Sequence, residues 1–363
     1  MDWKALRPYS WALALGLFIP ISVVLVLVVG PGVLVFATAG AGIIPLAWFM
    51  GLATEELGKH AGPGIGGLLN ATFGNATELI IAVFVLFSAL DVRTRISIVT
   101  ASLTGSIIGN ILLVLGLSMI VGGLRHKTQV FSREASGIQT SMLLLAVVGL
   151  VMPALYVRSI GAVPAVLEEM SIGIASILLA GYVLGLLFSL RTHRDIFNPV
   201  TEAAEKPRWS LRFALLVLLV SAILVGVESE ILVGSLEAAR ASLGLNDLFL
   251  GVIIVAIIGN AAEHGGAVLL AYRNKMDLSV AIATTSTTQV ALFVAPFLIF
   301  VSLLTSQIMT LDFEIFELVS IALSTAVLSA VASDGRSNWY EGVLLVMVYA
   351  VIGVAFFFHP PLP

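Results

Sequence analysis

The chain has 363 residues, of which 59% are apolar and only 11% charged, with a mean hydropathy of +1.08. An ordinary soluble domain is about a quarter charged, so this composition belongs in lipid. The net charge of -4 is uninformative, because in a membrane protein the side on which Lys and Arg lie matters more than their sum. The absence of cysteine excludes disulfides, thiolate metal sites, iron-sulfur clusters and cysteine nucleophiles, and it leaves the redox compartment open.

A membrane-crossing helix needs about 20 mostly apolar residues, and helix is the state that satisfies its own backbone in hydrocarbon. Runs of that kind predict an all-α polytopic membrane protein with about eleven transmembrane helices. The first six fall near 10–29, 32–54, 65–90, 95–122, 136–156 and 165–190. A polar link over 191–209 follows, with Asp195, Glu202 and Glu205 among basic residues and two prolines. The second set falls near 210–236, 247–272, 277–304, 312–332 and 340–358. Lys4 and Arg7 ahead of the apolar stretch from Tyr9 to Val29, with Ala37-Thr38-Ala39 beyond it, offer a leader-like pattern. A leader's apolar region is about 7 to 15 residues, so the longer run here suits a span better.

Lys and Arg set orientation. With alternate connections assigned to one side, fourteen of the eighteen basic residues lie with the N-terminus, and only Arg93, Arg95, Arg158 and Arg240 lie opposite. The N-terminus is therefore expected in the cytoplasm and the C-terminus outside.

Two short sequences match across the link: Gly74-Asn75-Ala76-Thr77-Glu78 and Gly259-Asn260-Ala261-Ala262-Glu263. Each lies in the second helix of a five-helix set, and five is odd, so the sets enter the membrane from opposite sides. That predicts an extra N-terminal helix over 1–30, a first repeat over 31–190, the cytoplasmic linker 191–209, and a second, inverted repeat over 210–363. Inverted repeats of secondary transporters place their site near mid-bilayer. Weaker symmetry pairs Ser106 and Asn110 with Ser286 and Gln289.

A carboxylate at a helix centre costs about 2.5 to 3.5 kcal/mol to insert, so Glu78 and Glu263 are expected to face a cavity, a partner or an ion. Gly74, Gly259, Asn75 and Asn260 let the backbone leave regular helix and free carbonyl oxygens. With the amides and hydroxyls of Ser106, Asn110, Ser286 and Gln289, they make an all-oxygen donor set that suits a hard cation such as calcium. Two ionised glutamates with one divalent cation are neutral, and so are two protonated ones, which implies exchange of cation for protons at shared carboxylates. His264 either tunes Glu263 and carries a proton or bonds a neighbouring helix. Glu55, Glu56, Glu228, Glu230 and Glu237 fall near expected segment ends, whereas Asp312, Glu314 and Glu317 precede a helix whose N-terminus they favour. The sequons at Asn70 and Asn75 lie within an apolar helix and are not acceptors.

These residues also resemble the calcium/proton exchanger branch of the calcium/cation antiporter superfamily. The likeness rests on Gly67 to Ile80, on Gly42-Ile43-Ile44-Pro45-Leu46-Ala47, and on Gly259 to His264 followed by Asn274-Lys275-Met276-Asp277. It implies eleven helices, inverted five-helix repeats, and the two motif glutamates as shared calcium and proton ligands. It also implies a protein that is not an enzyme, with Ca2+ and H+ as transported partners, membrane lipid around it, and neither a resident cofactor nor nucleic acid. Two departures stand out. The family's link is often markedly acidic, whereas 191–209 carries three acids; and the ninth helix, usually Gly-Ser-Ala-Thr-Gln, reads Thr285-Ser286-Thr287-Thr288-Gln289. Sodium-coupled relatives tend to carry an acid near Gln289, and its absence favours protons. A sodium-coupled antiporter and a cation channel are the competing expectations; the chain has no His-Glu-x-x-His helix of an intramembrane enzyme. Short loops point to a prokaryotic plasma membrane. Oligomeric state is left open.

Overall fold

The computed structural model describes residues 10–161, 163–197, 206–305 and 307–360. Lys4 and Arg7, and with them Glu202 and Glu205 of the link, lie outside the described residues. The helices are α1 (Ser10–Val28), α2 (Val33–Ala61), α3 (Pro63–Phe73), α4 (Ala76–Leu86), α5 (Val92–His126), α6 (Arg133–Ile160), α7 (Pro164–Thr192), α8 (Leu211–Leu243), α9 (Asp247–Ala261), α10 (Glu263–Tyr272), α11 (Met276–Ser302), α12 (Ile315–Asp334) and α13 (Trp339–Phe357). Among the described residues nine of these are long and apolar enough to cross a membrane, or ten if the bent pair of α9 and α10 is one span. The helical backbone runs unbroken over Ala256–Tyr272, so Gly259 and Asn260 do not leave regular helix as the sequence predicts.

The sequence predicts one helix over 65–90, and the chain forms two of 11 residues each, α3 and α4. The reason is local. Gly74 closes α3 by donating its N–H to the Asn70 carbonyl at 2.8 Å, and Asn75 sits at φ -99, ψ 20, outside helical geometry. Glycine and asparagine are poor helix formers, so the break falls there. At 1.5 Å per residue each piece is about 16 Å long, half a bilayer core.

Other boundaries follow from capping. Asp91 accepts from the Thr94 amide at 3.0 Å to start α5, and Ser132 and Ser210 cap α6 and α8 in the same way. Reciprocal capping boxes start α12 (Glu314 with Glu317) and α13 (Asn338 with Glu341). Gly62 at φ +84 turns the chain between α2 and α3, where Pro63 takes the first helical position.

The chain forms two compact units. The first holds residues 1–90, 204–246 and 257–262; the second holds 91–203, 247–256 and 263–363. Each unit thus draws on both halves of the sequence. In the first, α2 and α8 pack through a core of Leu46, Met50, Ala53, Leu57, Ala214, Leu218 and Val225. Lipid-type exposure marks its outer helices, with Leu27 79% and Leu216 56% exposed.

In the second unit α5 and α11 are the interior helices, with 72% of each apolar window buried against 22% for α7. Here α5 crosses the start of α9 at closest approach. A Cβ at Gly105 would collide with the Val252 carbonyl, and one at Gly251 would lie 2.5 Å from the Ala101 Cβ. A second close crossing joins α5 to α13, where a Cβ at Gly116 would lie 2.9 Å from the Gly342 carbonyl. Without a hydrophobic driving force between helices in lipid, small residues are what let backbones meet closely enough to gain dispersion energy. Strands β1 (Thr128–Val130) and β2 (Arg336–Asn338) pair antiparallel, Gln129 opposite Ser337.

Several connections are tied to one another. At one end of the second unit Gln129 donates to the Ala271 carbonyl and to Asn274, each at 2.9 Å, beside the β1–β2 pair. At its other end Arg158 meets Asp312 at 3.3 Å. In the first unit Glu56 accepts from the backbone N–H groups of Arg208 at 2.6 Å and Trp209 at 2.9 Å, which ties the end of the link to α2.

Candidate functional site

The first unit contains Gly74, Asn75, Glu78, Gly259 and Asn260. The break at Gly74-Asn75 puts Glu78 in the first turn of α4, at the positive end of that helix dipole. Asn75 and Asn260 are fully buried, and Glu78 is 7% exposed. The two motifs touch: a Cβ built on Gly259 would lie 3.2 Å from Glu78 Cγ. The motif glycine of the second half is therefore the surface on which the motif glutamate of the first half rests. Any side chain at 259 would push the carboxylate away.

The second unit contains Glu263, His264, Ser106, Asn110, Ser286 and Gln289. Glu263 lies where α9 meets α10, inside the unbroken helical run Ala256–Tyr272, so unlike Glu78 it does not follow a break in the helix. Ser286 of α11 hydrogen-bonds the Glu263 carboxylate, which joins two of the predicted residues. Its Oε2 and the Nε2 of His264 are buried and find no partner among the described residues. Ser106, Asn110, Ser286 and Gln289 are buried at 5% exposure or less.

The polar residues of α5 and α11 coincide with irregular backbone. Asn110 lies inside a π-helical turn, Gly109–Val114, and Gln289 immediately precedes another, Val290–Val294. π-turns insert a residue into a helix, re-aim its side chains and recur at functional sites. Among the described residues no three His, Asp or Glu side chains cluster as a metal-binding group. A hard cation here would take the rest of its oxygens from amides, hydroxyls, carbonyls and water.

Sequence reasoning placed Glu228 near a segment end. Instead α8 runs on to Leu243, and Glu228 is fully buried, its two oxygens 2.7 and 2.8 Å from Ser22 Oγ. Gly42 makes room for it, since a Cβ there would lie 3.3 Å from Glu228 Oε2. Glu317 is likewise buried, accepting from the Glu314 amide at 2.8 Å and from Thr104 at 3.3 Å. The signal for Glu228 was an acid in an apolar run; its partner, on a distant helix, left none.

Long apolar helices that bury paired polar motifs define a helical integral membrane protein. The match to known sequences is more specific. The family model described as sodium/calcium exchanger protein matches residues 31–191 and 213–358, and the chain belongs to that family. The interval between the two matched stretches falls on the polar link.

Among curated relatives, the chain is 49% identical to the Ca(2+)/H(+) antiporter of Aphanothece halophytica over 363 aligned positions, covering 96% of each chain. It is 44% identical to the Ca(2+)/H(+) antiporter ChaA of Bacillus subtilis, covering 93% of this chain and 96% of that one. Among solved structures, native YfkE superposes with a TM-score of 0.83 at 39% identity, over 96% of this chain and all of that one.

Proposed function

We propose that this chain is a secondary active antiporter that moves cytosolic Ca2+ across the membrane in exchange for H+. In this reading Glu78 and Glu263 are shared by calcium and protons. The activity is supported by relatives of nearly full length that are named Ca(2+)/H(+) antiporters. The observation that carries the site is the seating of Glu78 on Gly259, which brings the matched motifs of the two halves into contact.

Coupling follows from charge. Calcium binding to two ionised carboxylates, and protonation of both, each give a neutral site, whereas the empty ionised site buries two negative charges at great cost. The neutral states are the ones that can change access, so calcium leaves one way only as protons return the other. Asn75, Asn260, Ser106, Asn110, Ser286 and Gln289, with backbone carbonyls at Gly74 and Gly259, complete the coordination. His264, beside Glu263, takes part in the proton step.

The architecture that suits this chemistry is eleven spans, with α3 and α4 together making one and α9 with α10 another, arranged as an extra first helix and two inverted five-helix repeats that alternate access. The basic-residue bias puts the N-terminus in the cytoplasm, and bacterial relatives support a prokaryotic plasma membrane.

The test is calcium uptake into liposomes holding the purified chain, acid inside and alkaline outside, with Glu78→Gln and Glu263→Gln beside it. Uptake should require the gradient and be lost in either variant. Uptake driven by sodium at fixed pH, or surviving both substitutions, would sink the proton-coupled reading.

A further inference from the structure

The second unit gathers cations at one of its ends, apart from the residues proposed to hold calcium. Three connections meet there: 127–132 after α5, 273–275 after α10, and 335–338 before α13. Strand β1 pairs with β2, and the Phe131 amide donates to the Gly335 carbonyl at 3.0 Å. Gln129 bonds Ala271 and Asn274, and a ring nitrogen of His126 lies 3.0 Å from the Tyr272 carbonyl. These ties bring Arg125, Lys127, Arg133, Arg273, Lys275 and Arg336 to a single end, all of them exposed.

Among the described residues Arg125, Lys127, Arg133, Arg273 and Arg336 form no ion pair. The acids on and beside these connections are taken by the backbone instead. Asp277 accepts from the Ser132 amide at 2.6 Å, Asp334 from the Arg336 amide at 2.9 Å, and Glu341 from the Asn338 amide at 3.2 Å. Glu134, exposed in the first turn of α6, is the remaining acid there. Two of the cations sit where the fold alone would not put them. Arg133 opens α6, where the helix dipole disfavours positive charge. Lys127 has φ +59, a backbone conformation that favours glycine and strains a lysine. Separately, aromatic rings mark the depth of this end. Tyr272, Trp339 and Tyr340 are 45, 46 and 56% exposed, and such rings collect at headgroup level. The Arg125 guanidinium stacks 4.2 Å over the Tyr272 ring.

We propose that this end of the second unit binds the headgroup of an anionic phospholipid. Arg133 and Arg336 hold its phosphate, with Lys127 and Arg273 beside it. A Cβ built on Gly335 would lie 3.3 Å from the Arg133 Cβ, so Arg133 starts next to the residue that precedes Arg336, and both guanidinium groups reach one phosphate. The arginine fork matches phosphate oxygens two at a time. Unpaired cations fixed beside an aromatic belt supply charge at the level where lipid headgroups lie, which is how basic surfaces between transmembrane helices recognise anionic lipid. The site stands without the exchanger reading; its place in the cytoplasmic leaflet rests on the proposed orientation.

Native mass spectrometry of the delipidated full chain in detergent, titrated with phosphatidylglycerol, tests it, with phosphatidylcholine and inorganic phosphate as comparison ligands. Each basic residue near a headgroup tightens binding roughly fivefold, so two arginines should give phosphatidylglycerol a preference of at least about 25-fold over phosphatidylcholine. Arg133→Gln with Arg336→Gln should remove most of that preference. Arg191→Gln with Arg212→Gln, an equal loss of exposed charge outside these connections, should leave it in place. Lys127→Gly separates the lipid from the fold. It relieves the positive φ, so the melting temperature should hold or rise while affinity for phosphatidylglycerol falls about fivefold. The proposal is overturned by equal binding of the two lipids, by equal losses in the two double variants, or by unaltered affinity in Lys127→Gly. Displacement of the lipid by inorganic phosphate at matched ionic strength also overturns it, and would assign the patch to a free anion.

Discussion

The contact between Glu78 and Gly259 allows a graded test. In Gly259→Ala the new methyl would lie 3.2 Å from Glu78 Cγ, whereas carbon atoms settle at about 3.5 to 4.0 Å. The carboxylate must therefore retreat by roughly 0.3 to 0.8 Å, and metal-oxygen distances tolerate only about 0.2 Å. Overpacking of this size costs about 1 to 3 kcal/mol. If that cost falls on the calcium-bound state, it raises the calcium concentration needed for half-maximal uptake by about 5- to 150-fold. The fold should survive, because alanine is favoured over glycine in a helix by about 1 kcal/mol. Uptake against calcium concentration, at a fixed pH gradient in liposomes, reads the effect. Gly266→Ala on α10 is the control, since a Cβ there meets nothing within 4 Å, and it should leave the curve in place. An unchanged curve for Gly259→Ala, or an equal shift for both variants, would refute the idea that Gly259 seats the glutamate.

Two further predictions concern the fold. Gly105→Ala drives a methyl into the Val252 carbonyl, where neither backbone can yield cheaply, so stability should fall by about 3 kcal/mol or more; a melting temperature in detergent equal to the parent's would contradict the crossing. Glu56→Ala removes the acceptor of the Arg208 and Trp209 amides and should cost about 1 to 3 kcal/mol. Trypsin should then cut faster after Arg208, whereas an unchanged cleavage rate would mean that the link is held by other contacts.

Apolar run length placed most of the spans because the bilayer imposes it on the sequence directly. The same reasoning joined α3 to α4, since hydropathy averages over Gly74 and Asn75 while backbone geometry does not. The motif glutamates were legible for a physical reason too: an acid amid Ile80, Ile81 and Val83 has no cheap explanation, and two in matching settings have fewer. What the sequence hid was partnership at long range. Nothing near Gly105 names Val252, and nothing near Glu228 names Ser22. The π-turns were hidden as well, because inserting one residue into a helical ladder changes hydrogen-bond register without changing composition. Glu317 was read as an acid that favours a helix start, and it does cap α12, but its burial against Thr104 depends on how α12 meets α5.

In hydrocarbon, every departure from a regular helix leaves backbone groups that water cannot reach, so irregularity should be scarce unless something uses it. Some of it falls on the residues proposed to hold the ion, and some does not: π-turns also occur at Phe188–Thr192 and Leu250–Val255. Glu78 follows the Gly74-Asn75 break, whereas Glu263 lies within the unbroken helical run Ala256–Tyr272. Asn110 lies within one π-turn and Gln289 abuts another. A site that must gather oxygens from backbone and side chains, release them to protons and gather them again has a use for the irregularities beside Glu78, Asn110 and Gln289. Where it coincides with Glu78, Asn110 and Gln289, the irregular backbone supports ion binding on grounds other than the glutamates' charge.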